Sequence, residues 1–242
     1  MQKQILLILR NYSKIPYTLK GRKKASQEWL VRQFKDPYVE KAKKENFRCR
    51  SSFKLLEINE KHKILTYGCT VLDIGCAPGS WSQVCIRAVN SDGFDKTKPK
   101  GIVIGLDRLP IYPLEGVTFF GNTDFTTNEA KMKILKTLNG AKVNCVLSDM
   151  APNATGIRSL DQEQIMNLAH EVFNFAKEVS AEKASLLVKV WDNGEVGKFV
   201  NMLREHYETC KHVKPNASRS DSAELFILAK GFKGLQKIKH HM

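Results

Sequence analysis

A short apolar run, a glycine-containing turn and an amphipathic stretch follow one another in this chain. The run is Thr70-Val71-Leu72, the turn extends from Asp73 to Trp81, and apolar residues recur at helical spacing over 84–89. A strand, a tight turn and a helix in this order hold a nucleotide-like ligand at the C-terminal end of a parallel strand. The string therefore predicts an α/β domain with a ligand site at this turn.

The residues of the turn indicate which ligand it would hold. A dinucleotide site carries three glycines, which let a diphosphate approach the backbone. Only Gly75 and Gly79 are present here, so an NAD-linked oxidoreductase is disfavoured. Asp73 would repel a diphosphate but suits a ligand with an ammonium group and hydroxyls. S-adenosylmethionine is such a ligand, and the alternative is an ordinary strand-to-helix turn.

Charge is distributed unevenly along the chain. Residues 1–63 hold 17 Lys and Arg against 6 Asp and Glu, whereas residues 64–242 hold 22 against 19. A basic N-terminal quarter beside a nearly balanced domain indicates a nucleic-acid partner. No apolar run approaches the roughly 20 residues that span a bilayer, so we expect no membrane insertion. The cysteines and histidines lack ligand spacing, so we expect neither disulfides nor a metal site.

The first 27 residues contain seven basic residues and no acidic one. A basic, amphipathic, acid-free start is typical of a mitochondrial transit peptide, and we expect the mature protein in the mitochondrial matrix. A secretory signal would need a longer apolar core, and a basic arm that binds RNA is the remaining alternative. The predicted organisation is a transit peptide over 1–27, a basic helical extension over 28–63 and the α/β domain with the proposed S-adenosylmethionine turn over 64–242.

Apolar runs of strand length alternate with helical stretches along the rest of the chain. The predicted strands are Val71–Ile74, Ile102–Leu106, Val117–Phe120, Val143–Leu147, Leu186–Val190 and Leu225–Leu228. The predicted helices lie near 80–89, 128–138, 162–180 and 196–207. Before them, one helix over 27–46 is broken at Pro37, and Ser51 or Ser52 caps the next. This alternation is typical of a doubly wound sheet.

Carboxylates follow three of these strands. Asp107 can accept two hydrogen bonds from a ribose diol, Asp124 can hold an adenine amino group, and Asp149 ends the fourth strand. Because the carboxyl ends of parallel strands meet at one edge of a sheet, we expect these three side chains to contact one ligand. Each alone would be an ordinary surface or capping residue.

Four charged residues lie in apolar surroundings, where charges need partners. Lys189 lies inside a predicted strand, Glu224 opens another, and Lys54 lies among Phe53, Leu55 and Leu56. Together with Asp149, these two lysines and one glutamate can neutralise one another if all four converge at the same edge of the sheet.

From Phe47 to its end the chain resembles the FtsJ family of RNA ribose 2′-O-methyltransferases. The matching strings are Phe47–Leu55, Asp73–Ser82, Leu147–Asn153, Leu187–Val190 and Lys214–Glu224. The resemblance implies the α/β, Rossmann-like fold of S-adenosylmethionine-dependent methyltransferases. In this fold a mostly parallel seven-stranded sheet carries helices on both faces. Residues 150–156 and the transit-like start resemble the mitochondrial branch, which methylates a uridine ribose in large-subunit rRNA and supports ribosome assembly.

The resemblance also implies roles for individual residues. The catalytic set would be Lys54, Asp149, Lys189 and Glu224. Because a ribose hydroxyl must lose its proton as it attacks, we expect Lys189 to be the base, Asp149 to orient it, and Lys54 and Glu224 to position the ribose. The S-adenosylmethionine contacts would be Pro78, Gly79, Ser80, Trp81, Asp107, Asp124, Phe125 and Asp149.

RNA binding would fall to the basic N-terminal helices. Phosphate contacts are expected from Lys41, Lys43, Lys44, Arg48 and Arg50, and Trp191 and Phe53 are either base-stacking surfaces or core residues. The expected partner is rRNA or a precursor of the large ribosomal subunit, bound by a monomer without a metal. A tRNA methyltransferase of the same family and a non-catalytic rRNA-binding assembly factor remain alternatives.

Overall fold

A computed structural model describes residues 36–153, 155–219 and 222–234, together with Gln27, Leu30 and Gln33. Nearly all of the expected transit peptide therefore lies outside the described residues. The chain divides into two compact units, Met1–Glu40 and Lys41–Met242, and every described strand belongs to the second. No helix in the described part is long and apolar enough to cross a membrane.

The described elements follow the predicted alternation. The helices are α1 (Pro37–Lys44), α2 (Ser52–His62), α3 (Ser80–Val89), α4 (Asn128–Leu138), α5 (Arg158–Val179) and α6 (Val196–His206). The strands are β1 (Thr70–Ile74), β2 (Ile102–Leu106), β3 (Thr118–Phe120), β4 (Val143–Ser148), β5 (Ser180–Trp191), β6 (Tyr207–Val213) and β7 (Glu224–Phe232).

The strands form one seven-stranded sheet in the order β3-β2-β1-β4-β5-β7-β6. The first five strands in this order are parallel, whereas β7 runs antiparallel to both β5 and β6. The sheet is therefore Rossmann-like and mixed. The predicted strands did not include β6, and the helix predicted near 196–207 ends at His206, immediately before this strand. The strand is mostly exposed and so carries no apolar run.

Helices cover both faces of the sheet because the side chains of each central strand alternate between two buried environments. All five residues of β1 are buried. Leu72 and Ile74 pack into a core shared with α4, α5 and α6. Asp73 points to the opposite face, where Ser82 of α3 donates a hydrogen bond to it. This two-sided burial explains why the strands appear in the sequence as continuous apolar runs.

The register of the strands brings together the strand ends at which a ligand is expected. Ile74 is aligned with Leu106 of β2 and with Ser148 of β4, so the residues that follow all three strands meet at one edge. Because β7 runs antiparallel to β5, its first residue, Glu224, lies opposite Trp191, the last residue of β5. The beginning of β7 thus reaches the same edge as the ends of the parallel strands.

Candidate active site

The turn after β1 is built from two glycines that no other residue replaces easily. Gly75 has φ +77° and Gly79 has φ +102°, conformations that L side chains rarely adopt. A Cβ at Gly75 would lie 2.2 Å from a side-chain atom of Met150, and one at Gly79 would lie 2.7 Å from Nη1 of Arg48. The backbone of the turn is therefore closely packed from both sides.

Arg48 holds this turn against a neighbouring loop. Its Nη1 donates to the carbonyl oxygens of Pro78 at 2.7 Å and Tyr112 at 2.8 Å, and its Nη2 donates to that of Pro113 at 3.0 Å. The expectation that Arg48 serves RNA phosphates is corrected by this geometry, because the guanidinium is engaged by three carbonyl groups of the protein.

Carboxylates lie near the C-terminal ends of β1, β2 and β3. Asp107 accepts hydrogen bonds from the backbone N–H groups of Ala77 at 2.9 Å and Leu109 at 2.8 Å, which fix its orientation. Asp73 is fully buried, and burial raises its pKa to about 7. One oxygen of Asp73 lacks a hydrogen-bond partner in the described part of the chain. Hydrogen bonds from Thr126 lower the pKa of Asp124, so that carboxylate is ionised at neutral pH.

Some of the predicted cofactor contacts have side chains that face the protein interior. Ser80, Trp81 and Phe125 are each 2–3% exposed. Trp81 donates from Nε1 to the carbonyl oxygen of Ser51 at 2.9 Å, and the ring of Phe125 packs on Phe175. Any ligand contact from these residues would therefore come from backbone atoms.

The first of two buried ion pairs joins Lys54 of α2 to Glu224 of β7. Nζ of Lys54 lies 2.6 Å and 2.7 Å from the two carboxylate oxygens, and both side chains are about nine-tenths buried. Ser218 donates a third hydrogen bond to Glu224 at 2.8 Å. Lys54 Nζ also lies 5.7 Å from the ring centre of Phe226. The pair is thus held in one orientation by an apolar wall and a hydroxyl.

The second ion pair joins Lys189 of β5 to Asp149, the residue after β4. Nζ of Lys189 lies 3.0 Å from Oδ1 of Asp149 and donates a 2.6 Å hydrogen bond to the backbone carbonyl oxygen of Asp149. Burial opposes ionisation of Asp149, but Lys189, Lys54 and a hydrogen bond from Ser51 outweigh it and lower the pKa of this carboxyl. Because Lys54 acts on Asp149, the two pairs form one cluster of two amines and two carboxylates.

Ser51, one of two serines predicted to cap α2, belongs instead to this cluster. It occupies the N-cap position of α2 but makes no capping hydrogen bond. Its hydroxyl donates to Oδ2 of Asp149 at 2.6 Å and also lies 3.1 Å from Nε1 of Trp81. The spacing to Lys54 could have indicated this, because three residues along a helix place both side chains on one face.

The other residues expected to bind RNA have mixed positions. Arg50 donates to the carbonyl oxygen of Ala217, and Phe53 is a core residue packed edge-on against Phe47. Trp191 is partly buried at the site edge. The lysines of α1 form the basic last turn of that helix and are exposed; they are Lys41, Lys43 and Lys44. All six cysteines are free, and no cluster of metal ligands occurs among the described residues.

Two rRNA methyltransferases are similar in sequence to this chain over most of its length. The rRNA methyltransferase 2, mitochondrial, of Drosophila melanogaster is 55% identical over 90% of this chain and 88% of its own length. The ribosomal RNA large subunit methyltransferase E of Parvibaculum lavamentivorans is 42% identical over 90% and 85%, respectively.

A solved structure described as a ribosomal RNA methyltransferase from Plasmodium falciparum resembles the fold. It aligns with a TM-score of 0.68 at 24% identity and covers 78% of this chain and 100% of its own. At this identity the likeness concerns the fold alone. The sequence profile of the FtsJ-like methyltransferases matches residues 47–232, which include the turn, the strand-end carboxylates and both ion pairs. With the two close relatives, this match establishes that the chain belongs to the FtsJ-like methyltransferase family.

Proposed function

We propose that this protein transfers a methyl group from S-adenosylmethionine to the 2′-hydroxyl of a uridine in mitochondrial large-subunit rRNA. The observation that carries the proposal is the cluster of Lys54, Glu224, Lys189 and Asp149 beside the Gly75–Gly79 turn. The name of the Drosophila relative supports a mitochondrial rRNA substrate. The reaction class follows from the family, and the choice of nucleotide follows from the likeness to the mitochondrial branch.

Lys189 is the proposed base. A ribose hydroxyl is a weak nucleophile and must lose its proton as it attacks, and a lysine accepts a proton only in its neutral form. Asp149 lies beside Lys189, with Oδ1 3.0 Å from Nζ. The carboxylate also fixes the direction of Nζ through its Oδ1 and its backbone carbonyl. Lys54 and Glu224 would orient the ribose beside it.

The strand-end residues fit S-adenosylmethionine. The positive φ angles of Gly75 and Gly79 set the path of the turn, the unpartnered oxygen of Asp73 suits an ammonium group, and Asp107 suits a diol. When bound, S-adenosylmethionine supplies the methyl group on a sulfonium centre. Asp124 and the backbone of Phe125 would contact the adenine side, and the backbone of 78–81 would line the turn.

The test is methylation of mitochondrial large-subunit rRNA transcripts by purified protein, with ribose methylation mapped by nucleotide. Lys189→Ala and Lys189→Arg should both abolish transfer, because a guanidinium does not deprotonate at accessible pH. Affinity for S-adenosylmethionine, measured by calorimetry, should stay within about twofold because Lys189 lies outside the turn. Lys198→Ala, at an exposed lysine of α6, is the matched control.

The outcomes separate this function from its alternatives. Substantial turnover by Lys189→Ala would rule out its role as base. Methylation of tRNA in place of rRNA would favour the tRNA enzyme, and rescue of ribosome assembly by Lys189→Ala would favour a binding factor. We further propose that residues 1–27 direct import into the matrix, that basic residues within 28–63 contact the RNA, and that the protein acts as a monomer. Cell fractionation and light scattering test location and oligomeric state.

A further inference from the structure

A cleft of about 490 Å³ lies between the end of α2 and the β6–β7 edge of the sheet. It shares no residue with the candidate active site. Its charged and titratable lining residues are Lys61, His62, Lys183, Glu208, Lys211 and Lys230. Four lysines and one glutamate make this basic cleft strongly positive.

Most of that charge is not neutralised by the protein. Lys183 pairs with Glu208, and Lys230 donates to the carbonyl oxygen of His62 at 2.8 Å, which positions its amine without compensating its charge. Neither Lys61 nor Lys211 makes an ion pair with a residue in the described part of the chain, and both are exposed. The cleft therefore presents three uncompensated amines.

The pKa of His62 reflects the positive potential of the cleft. Burial is the largest cause that lowers the pKa of His62, and the charges of Lys61, Lys211 and Lys230 lower it further. A site in which neighbouring cations disfavour one more positive charge is a site in which an anion is favoured. Histidine, already present at the wall, could also donate a hydrogen bond to such an anion.

The basic cleft lies on the same side of α2 as Lys54 but toward the opposite edge of the sheet from the active site, because Lys230 is aligned with Ser185 and Glu224 with Trp191. Lys61 lies seven residues after Lys54 on α2, so both point to the same side of the helix, about 10 Å apart along its axis. On β7, Lys230 lies six residues after Glu224, roughly 20 Å away along the strand. A polynucleotide whose ribose reaches Lys54 and Glu224 is long enough to pass the cleft.

We propose that the basic cleft binds backbone phosphates of the RNA substrate and so serves as a second docking point outside the active site. The inference rests on the proposed function for the identity of the RNA. Lys61 and Lys211 supply the charge, and Lys230 and His62 form the wall between them. A docking point of this kind would favour a long, structured RNA over a short oligonucleotide.

The test compares two double variants with the same change of net charge. Lys61→Glu/Lys211→Glu alters the cleft, whereas Lys96→Glu/Lys136→Glu alters two lysines that lie outside it. Both are made in full-length protein that is otherwise wild type and in the Lys189→Ala background. Affinity for a large-subunit rRNA transcript is measured by fluorescence anisotropy at several salt concentrations, with thermal unfolding as a check on folding. Methylation kinetics use the transcript and a short oligonucleotide.

The cleft variant should weaken transcript binding about tenfold more than the control variant. Its plot of log affinity against log salt should become shallower by roughly 1.5, because about 0.7 to 0.9 is lost per phosphate contact. KM for the transcript should rise, with kcat and kinetics on the short oligonucleotide unchanged. Equal losses in the two variants, or a loss of kcat on both RNAs, would overturn the proposal. A protein that binds the transcript through the cleft yet never methylates it would refute the proposed function alone.

Discussion

The hydrogen bond from Ser51 to Asp149 makes Ser51→Ala the most informative single change at the active site. The bond is 2.6 Å long and its acceptor is a largely buried, ionised carboxylate. Hydrogen bonds to charged groups contribute about 1.5–3 kcal/mol. Trp81 keeps its 2.9 Å bond to the carbonyl oxygen of Ser51, so the variant removes the hydroxyl with little disturbance of the backbone.

The loss should appear in catalysis as well as in stability. If Asp149 must be held toward Lys189, the missing bond should lower kcat by about 10- to 100-fold, since 1.36 kcal/mol corresponds to a factor of ten. Affinity for S-adenosylmethionine should change little. The pKa of Asp149 should rise, because one of the groups that lower it is gone.

Linkage gives the sign of the pH effect on stability. A carboxyl whose folded-state pKa is lowered stabilises the protein above its unfolded pKa, near 3.9, and this contribution is lost as pH falls through the folded value. The difference in unfolding free energy between wild type and Ser51→Ala should thus reach its full value at pH 7 and decrease below about pH 4. Urea denaturation at several pH values measures it.

Ser52→Ala is the matched control for Ser51→Ala. The hydroxyl of Ser52 donates at 3.0 Å to a neutral acceptor, the carbonyl oxygen of Cys49. Its removal should cost about 0.5–1.5 kcal/mol of stability with kcat unchanged. Ser51→Thr retains a hydroxyl and should retain most activity. Equal kcat values for Ser51→Ala and Ser52→Ala would refute the positioning role of Ser51.

Three further changes test the turn and its surroundings. The raised pKa of Asp73 makes wild-type stability fall as pH rises from about 4 to about 7. In urea denaturation, Asp73→Asn should therefore be more stable than wild type by a few kcal/mol at pH 8 and nearly equal to it at pH 4. A stability difference that does not change with pH would contradict this. Arg48→Ala should weaken S-adenosylmethionine binding in calorimetry, since the Pro78 carbonyl loses its anchor; unchanged affinity would exclude that role. Gly75→Ala should abolish cofactor binding and lower the melting temperature, because its Cβ would collide with Met150; a fully active variant would refute the close packing.

The strand-turn-helix elements could be predicted from the sequence because each is defined by local chemistry. The bounds of α3 and α4 agree with the predicted helices, and β2 agrees with its apolar run. Buried parallel strands need continuous apolar residues, and the turn needs Gly75 and Gly79. The lysines in apolar surroundings, Lys54 and Lys189, also signalled that partners must exist. The sequence identified Asp149 and Glu224 as the carboxylates of this set, but it could not assign which lysine pairs with which carboxylate, since either one satisfies the same requirement.

Tertiary structure decided what local patterns do not encode. The edge strand β6 is exposed and so has no apolar run, and only its pairing with β7 reveals it. Because β7 is antiparallel to β5, Glu224 lies at the edge of the sheet where it pairs with Lys54. If β7 were parallel, Glu224 would lie at the other end of the sheet. Ser51 and Arg48 likewise carry functional groups whose use depends on what lies opposite them. Residue types along the chain thus determined which elements form and that charges must pair, whereas strand order and direction determined which charges meet, because contacts between distant segments exist only after the sheet has assembled.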